Sequence, residues 1–241
     1  LTVAEQYGTL AALHPGRIDL GLGRAPGSDQ AAAAAMRTSA QRADRFPEDV
    51  AELQGYLGDS TRVPGVEATP GKGSHVPLYI LGSSLYGAQL AASMGLPYAF
   101  ASHFAPESLQ RAVAIYRAEF QPSEQLDAPY VIAAVNVLAA DTDEAAQAQL
   151  QRVMRSRVAR FLVKDRDLSD EEADALLASP QGRQIAGMMR YLAVGTPGTV
   201  REYLSAFAEH ADADELITAH ASPSVEERLR SLDLTADVAL V

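Results

Sequence analysis

The chain has 241 residues, 47% of them hydrophobic, with 20 basic against 31 acidic residues and a formal net charge of −11. That length supports one large core, so a single domain over residues 1–241 is expected. The acidic balance excludes a surface that tracks nucleic acid or anionic lipid, because both need clustered Lys and Arg. With no cysteine there is no disulfide frame, no thiolate metal site and no cysteine nucleophile, and a cytoplasmic location is expected. No apolar run approaches the roughly 20 residues that span a bilayer, and Leu1-Thr-Val-Ala-Glu5 lacks the parts of a signal peptide.

The first residue is not methionine, and Val3, Tyr7, Leu10 and Ala11 follow helical spacing, so the chain reads as a piece that starts inside or just before a helix. Apolar runs bounded by turn residues predict strands at about 17–23, 76–81, 98–102, 130–139 and 214–219. Between them lie helical patterns: Val50, Leu53, Tyr56 and Leu57; Leu109, Ala112, Val113 and Tyr116; Leu150, Val153, Met154, Val158 and Phe161. Val200, Tyr203, Leu204 and Phe207 make another, and Val225, Leu229 and Leu232 close the chain. Alternation of strand and helix implies an α/β fold of parallel strands joined by right-handed crossovers.

Ser39, Thr142, Ser169 and Thr196 are expected helix caps, with Pro197 in the first turn and Glu172 completing a capping box with Ser169. Gly95 and Pro97 mark a helix stop. Ala31 to Ala35 reads as helix or the flank of a loop. Gly58 to His75, rich in Gly and Pro, reads as a long irregular approach to the second strand. Ser156 to Arg190 is too long for a simple crossover and is a candidate lid.

Arg24 leaves the first strand directly, and ligands of α/β proteins are held at that end of the strands. A guanidinium there can grip phosphate in a fork, or it can pair with Asp29, Asp44 or Glu48. The second strand opens into Gly82-Ser-Ser-Leu-Tyr-Gly87, which supplies hydroxyls and free N–H groups where a helix begins. The same residues also read as ordinary Ser capping, with Gly87 allowing close packing. Gly21-Leu-Gly23 lacks the third glycine of a dinucleotide fingerprint, since Pro26 stands there. His103 follows the third strand, where it can exchange a proton or line a pocket, and His220 can face the same end. His14, His75 and His210 have no partner at metal-ligand spacing, and no metal is expected. There is no Gly-x-Ser-x-Gly elbow. The acidic groups Asp170-Glu-Glu172 and Glu226-Glu227 read as solvated.

Leu13-His-Pro-Gly-Arg-Ile-Asp-Leu-Gly-Leu-Gly-Arg-Ala-Pro-Gly27 resembles the bacterial luciferase-like, flavin-dependent monooxygenase family. Tyr79-Ile-Leu-Gly-Ser-Ser84, Gly95-Leu-Pro-Tyr-Ala-Phe-Ala-Ser-His103 and Val194-Gly-Thr-Pro197 resemble its other signatures, in the same order. The resemblance implies a TIM (β/α)8 barrel of which this chain covers about strands 4 to 8, the earlier strands lying upstream. It also implies a monooxygenase that uses reduced FMN and O2 on a small-molecule organic substrate, with a separate flavin reductase and a homodimer as partners. An F420-dependent oxidoreductase of the same barrel family and a non-catalytic flavin-binding protein are the alternatives.

Carried over by position, the resemblance places Arg24 on the flavin phosphate and Gly23 near it beneath the ring. It places Ser84 and Gly87 at a serine and a threonine that meet the phosphate, and Ser83 where an acidic residue's main chain faces the flavin. Ser102 and His103 match positions beside the isoalloxazine, and Arg45 falls near a second phosphate arginine. The luciferases' histidine on an early strand has no counterpart here, so no catalytic residue is named.

Overall fold

The computed structural model describes residues 1–25, 35, 44–163 and 166–238. The expected cap Ser39, the carboxylate of Asp29 and most of the Ala31–Ala35 run lie outside them. The chain divides into two compact units, residues 1–99 with 115–130, and residues 100–114 with 131–241.

The first unit opens with helix α1 (Thr2–Leu13), followed by strand β1 (Leu20–Gly23), helix α2 (Phe46–Leu57), strand β2 (Leu78–Gly82) and helix α3 (Leu85–Met94). β1 and β2 are parallel, with Leu20 opposite Leu78 and Gly23 opposite Leu81. A parallel pair needs a long crossover, and here α2 and the irregular stretch after it supply it. Leu57, Leu78, Ile80, Leu96, Tyr98 and Tyr116 are buried at the centre of this unit. α3 stops where the sequence says it should: Gly95 takes the left-handed conformation (φ 62°), and its N–H bonds back to Ala91 and Ala92.

β3 (Tyr98–Phe100) and α4 (Leu109–Glu119) carry the chain between the units. The second unit is built on β4 (Val131–Ala139), in which every residue is buried. A run that is apolar but for Asn136 is the signature of a strand covered on both faces. Helices α5 (Asp143–Leu162), α6 (Asp170–Leu177) and α7 (Pro180–Gly187) follow, then β5 (Leu192–Gly195), α8 (Pro197–Ala211), β6 (Glu215–His220) and α9 (Val225–Ala236). β6 runs parallel to β4, with Ile132 opposite Glu215 and Val137 opposite His220.

Strand β5 is absent from the pattern reading, which gave five strands where six are formed among the described residues. It is four residues long and pairs with the last residues of β4, Asn136 through Ala139. Too short for periodicity to detect, it is held by pairing and by the Tyr203 hydroxyl, which accepts from the Leu192 N–H at 3.1 Å. The other strands shift by one to three residues at their ends, because the ladder and not the apolar run sets where a strand stops.

The Ser156–Arg190 segment folds as the end of α5 with α6 and α7. Val158, Ala173 and Ile185 form its buried centre, with Leu168, Leu176 and Leu177 packed around them. Of the acidic residues read as solvated, Asp170, Glu172 and the half-buried Glu227 are paired. Asp170 binds Arg155, which also binds Asp174, Glu172 binds Arg166, and Glu227 binds Arg152. Arginines from other parts of the fold reach them, which sequence spacing does not reveal.

Candidate functional site

In the first unit, the chain leaves β1 at Gly23 and places Arg24 in an exposed bend. The guanidinium carbon of Arg24 lies 4.0 Å from the centre of the Tyr86 ring, close enough for a cation–π contact. Tyr86 is the second residue of α3, so this contact parks the guanidinium at the positive end of that helix. Without a compensating anion, charge and dipole of the same sign would oppose each other there. Among the described residues no carboxylate pairs with Arg24, and neither Asp44 nor Glu48 serves as its partner.

Ser84 caps α3 in position only. Its backbone is extended (φ −139°, ψ 165°), and its side chain makes no capping hydrogen bond. The first N–H groups of the helix therefore gain nothing from the Ser84 hydroxyl, and Ser83 and Ser84 both stand exposed. The Ser84 carbonyl is held from behind, where the Tyr98 hydroxyl donates to it at 3.1 Å. Burial pushes the Tyr98 phenol well above its usual pKa, so it remains a donor.

Gly87 lies buried behind this turn. A Cβ on Gly87 would sit 3.3 Å from the Tyr98 ring and 3.5 Å from the Gly82 Cα. Close packing thus demands the glycine, and only its backbone N–H can serve a ligand. Gly23 is exposed beside Arg24. Arg45 occupies the position before α2, where it is solvent-exposed with its guanidinium 4.0 Å from Asp49 on the next turn. The anion-seeking features of this unit are therefore Arg24, Tyr86 and the Ser83–Gly87 turn. Tyr86 was quoted in the sequence motif without a role, and its spacing gives no sign that it would seat the arginine.

In the second unit, Ser102 is fully buried and its hydroxyl donates to the Ala134 carbonyl. His103 follows it, and its carbonyl accepts from the Asn136 side-chain amide. The His103 ring meets Phe104 edge-on, with centroids 4.7 Å apart. Its Nδ1 is buried with no hydrogen-bond partner among the described residues. Burial first, and then the Arg157 charge, hold the imidazole below its ordinary value of 6.5. Asn136 is the one amide in an otherwise apolar strand, a signal that could have marked it. Arg157, five residues before the end of α5, gave none.

His220 turns toward α9: Nδ1 lies 2.7 Å from the Ser231 hydroxyl and Nε2 lies 3.2 Å from the Thr218 hydroxyl. It is braced within the fold, where pattern reading had allowed it a place at the strand exits.

The family model for luciferase-like monooxygenases matches residues 1–214. This chain belongs to the luciferase-like monooxygenase family. It is 40% identical to the protein YvbT of Bacillus subtilis strain 168, covering 99% of this chain and 72% of that one. It is 39% identical to a luciferase-like monooxygenase of Escherichia coli K12, with coverage again 99% and 72%. The structure of apo-MsnO8, 33% identical, superposes with a TM-score of 0.81 over 98% of this chain and 72% of that one. Luciferase-like monooxygenases are oxidoreductases, and the likeness to MsnO8 gives this chain the luciferase-like TIM-barrel fold expected from its motifs. Among the described residues, no helix is long and apolar enough to cross a membrane.

Proposed function

We propose that the chain acts as an FMN-dependent monooxygenase, using reduced FMN and O2 to oxidise a small organic substrate, with the FMN phosphate held by Arg24 and the Ser83–Gly87 turn. The observation that carries this reading is the Arg24 guanidinium stacked on Tyr86 at the start of a helix whose capping hydroxyl is not spent on the helix. A phosphate needs counter-charge and N–H donors in one place, and the residues present fit it. Arg24 would supply charge-assisted bonds, Ser84 its hydroxyl, and the backbone at Ser83 through Gly87 the remaining donors. Tyr86 would keep the guanidinium aimed, and Tyr98 would keep the turn from rotating through its bond to the Ser84 carbonyl.

When bound, reduced FMN supplies the electrons that activate O2, so that one oxygen atom enters the substrate and the other leaves as water. The chain's own part is to anchor and orient. A separate flavin reductase would supply the reduced cofactor. Two measurements test the proposal: anaerobic titration of the chain with reduced FMN and with reduced F420, and transfer of label from 18O2 into products of a substrate panel. Tighter binding of FMN and labelled product are expected. Preference for F420 would mean hydride transfer, and FMN binding without labelled product across the panel would mean a flavin-binding protein.

A further inference from the structure

Strand β6 and helices α8 and α9 border a cleft of about 480 Å³ in the second unit. Its walls are mainly apolar, with Leu204 from α8, Leu216 from β6 and Leu232 from α9. Leu232 is 42% exposed, so part of that apolar wall faces solvent. Thr218 and His220 also line the cleft, two residues apart on β6 and therefore on one face of the strand. An apolar hollow of this size with a few convergent polar groups is the usual form of a small-molecule site.

The hydrogen bonds behind these two residues run in one direction. Ser231 is fully buried, and its hydroxyl oxygen accepts from the Ala139 N–H at 3.0 Å. A hydroxyl has one proton to give, and it goes to His220 Nδ1, 2.7 Å away. With the proton on Nδ1 instead, the buried Ser231 hydroxyl would have no acceptor among the described residues, a state that folded proteins avoid. Neutral His220 therefore carries its proton on Nε2 and donates it to the Thr218 hydroxyl oxygen at 3.2 Å. Burial favours that neutral form. Among the described residues nothing accepts the Thr218 proton in turn. A relay that starts at a backbone N–H thus ends as a donor on the wall of the cleft.

From this geometry we infer that the cleft binds a neutral, mainly apolar molecule through an oxygen acceptor, an ester or ether oxygen, which takes the Thr218 proton. Asp214 and Glu215 line the same cleft, and no lysine or arginine is among its described lining residues, so an anionic acceptor is disfavoured. An ammonium group would meet a donor where it needs an acceptor. The site shares no residue with the phosphate anchor and does not depend on flavin binding.

NMR titration of the chain with methyl heptanoate, heptanoate and heptylammonium tests the inference. The ester is expected to bind about 10-fold or more tightly than either ion, with shifts at Thr218 and His220, and the His220 nitrogen shifts should place the proton on Nε2. Thr218→Val should weaken the ester by about 5-fold or more, and Thr218→Ser should retain most of the affinity. Ala236→Phe, at an exposed position on the cleft wall, fills the space and should abolish binding with the melting temperature unchanged, so the test does not depend on β6 tolerating a valine. Absence of ester binding, preference for either ion, or ester shifts confined to residues away from the cleft would overturn the inference. So would full affinity in Thr218→Val or Ala236→Phe, or a proton on Nδ1, which would reverse the relay.

Discussion

Gly87 stands where the family resemblance expects a threonine, and Tyr98 explains why. The Tyr98 ring lies against the space a side chain would take, while its hydroxyl holds the Ser84 carbonyl. A threonine would have to displace that ring. Gly87→Thr should therefore lower the melting temperature, whereas Tyr98→Phe, which keeps the packing and deletes one hydrogen bond, should cost about 1 kcal/mol in a denaturant titration. A smaller loss for Gly87→Thr than for Tyr98→Phe would show that the turn yields easily. Arg24 and the two serines were legible from sequence because a strand exit, a cation and a helix start follow one another in the chain. The seat of Arg24 on Tyr86 was not, since that contact exists in the folded chain alone.

His220 gives a pH dependence with a definite sign. Burial lowers its pKa below 6.5 in the folded state, so the unfolded chain binds the proton more readily. The stability contributed by neutral His220 is then fully present above about pH 6.5 and is lost as pH falls through the lower folded value. His103 titrates in the same direction, so the contribution is isolated by comparing variants. Melting temperature should fall less steeply between pH 7 and pH 5 in His220→Gln than in the unaltered chain. Parallel curves would show that the imidazole keeps its charge within the fold.

The helices show which local signals translate directly into structure. Ser169 and Glu172 form the reciprocal capping box expected from their spacing, and Thr142 accepts from the Ala145 N–H. Thr196 occupies its cap position, but its hydroxyl lies 3.1 Å from that of Thr199 and does not cap the helix. Ser179 and Ser224 cap α7 and α9, two caps that the pattern reading passed over although Pro180 follows the first. α6 has only eight residues, too few to be stable by propensity, so its cap matters more than usual. Ser169→Ala should destabilise the chain by about 1 kcal/mol in a denaturant titration. No measurable change would mean that the Arg155 pairs and the Val158–Ala173–Ile185 contacts fix α6 without its cap. Strand β5 marks the opposite limit. Nothing in Leu192–Gly195 distinguishes a four-residue strand from a loop until β4 lies beside it.

Taken as one chain, the alternation of strands and helices was readable from periodicity, and the family from its motifs, because both are local. Which strands pair, which arginine meets which acid and which hydroxyl is already occupied depend on residues far apart. Ser102 illustrates the point. Its position matched a flavin-facing residue, yet its hydroxyl is committed to Ala134. The phosphate anchor is better placed for a test, as it predicts a preference for one form of the flavin over another. FMN and riboflavin differ by the phosphate alone, so their affinities for the chain and for Arg24→Ala form a closed cycle. If Arg24 grips the phosphate, FMN binds more tightly than riboflavin to the unaltered chain, and Arg24→Ala shrinks that advantage by about 2 kcal/mol, roughly 30-fold. Equal affinity for the two flavins, or an advantage for FMN that survives the loss of Arg24, would contradict it.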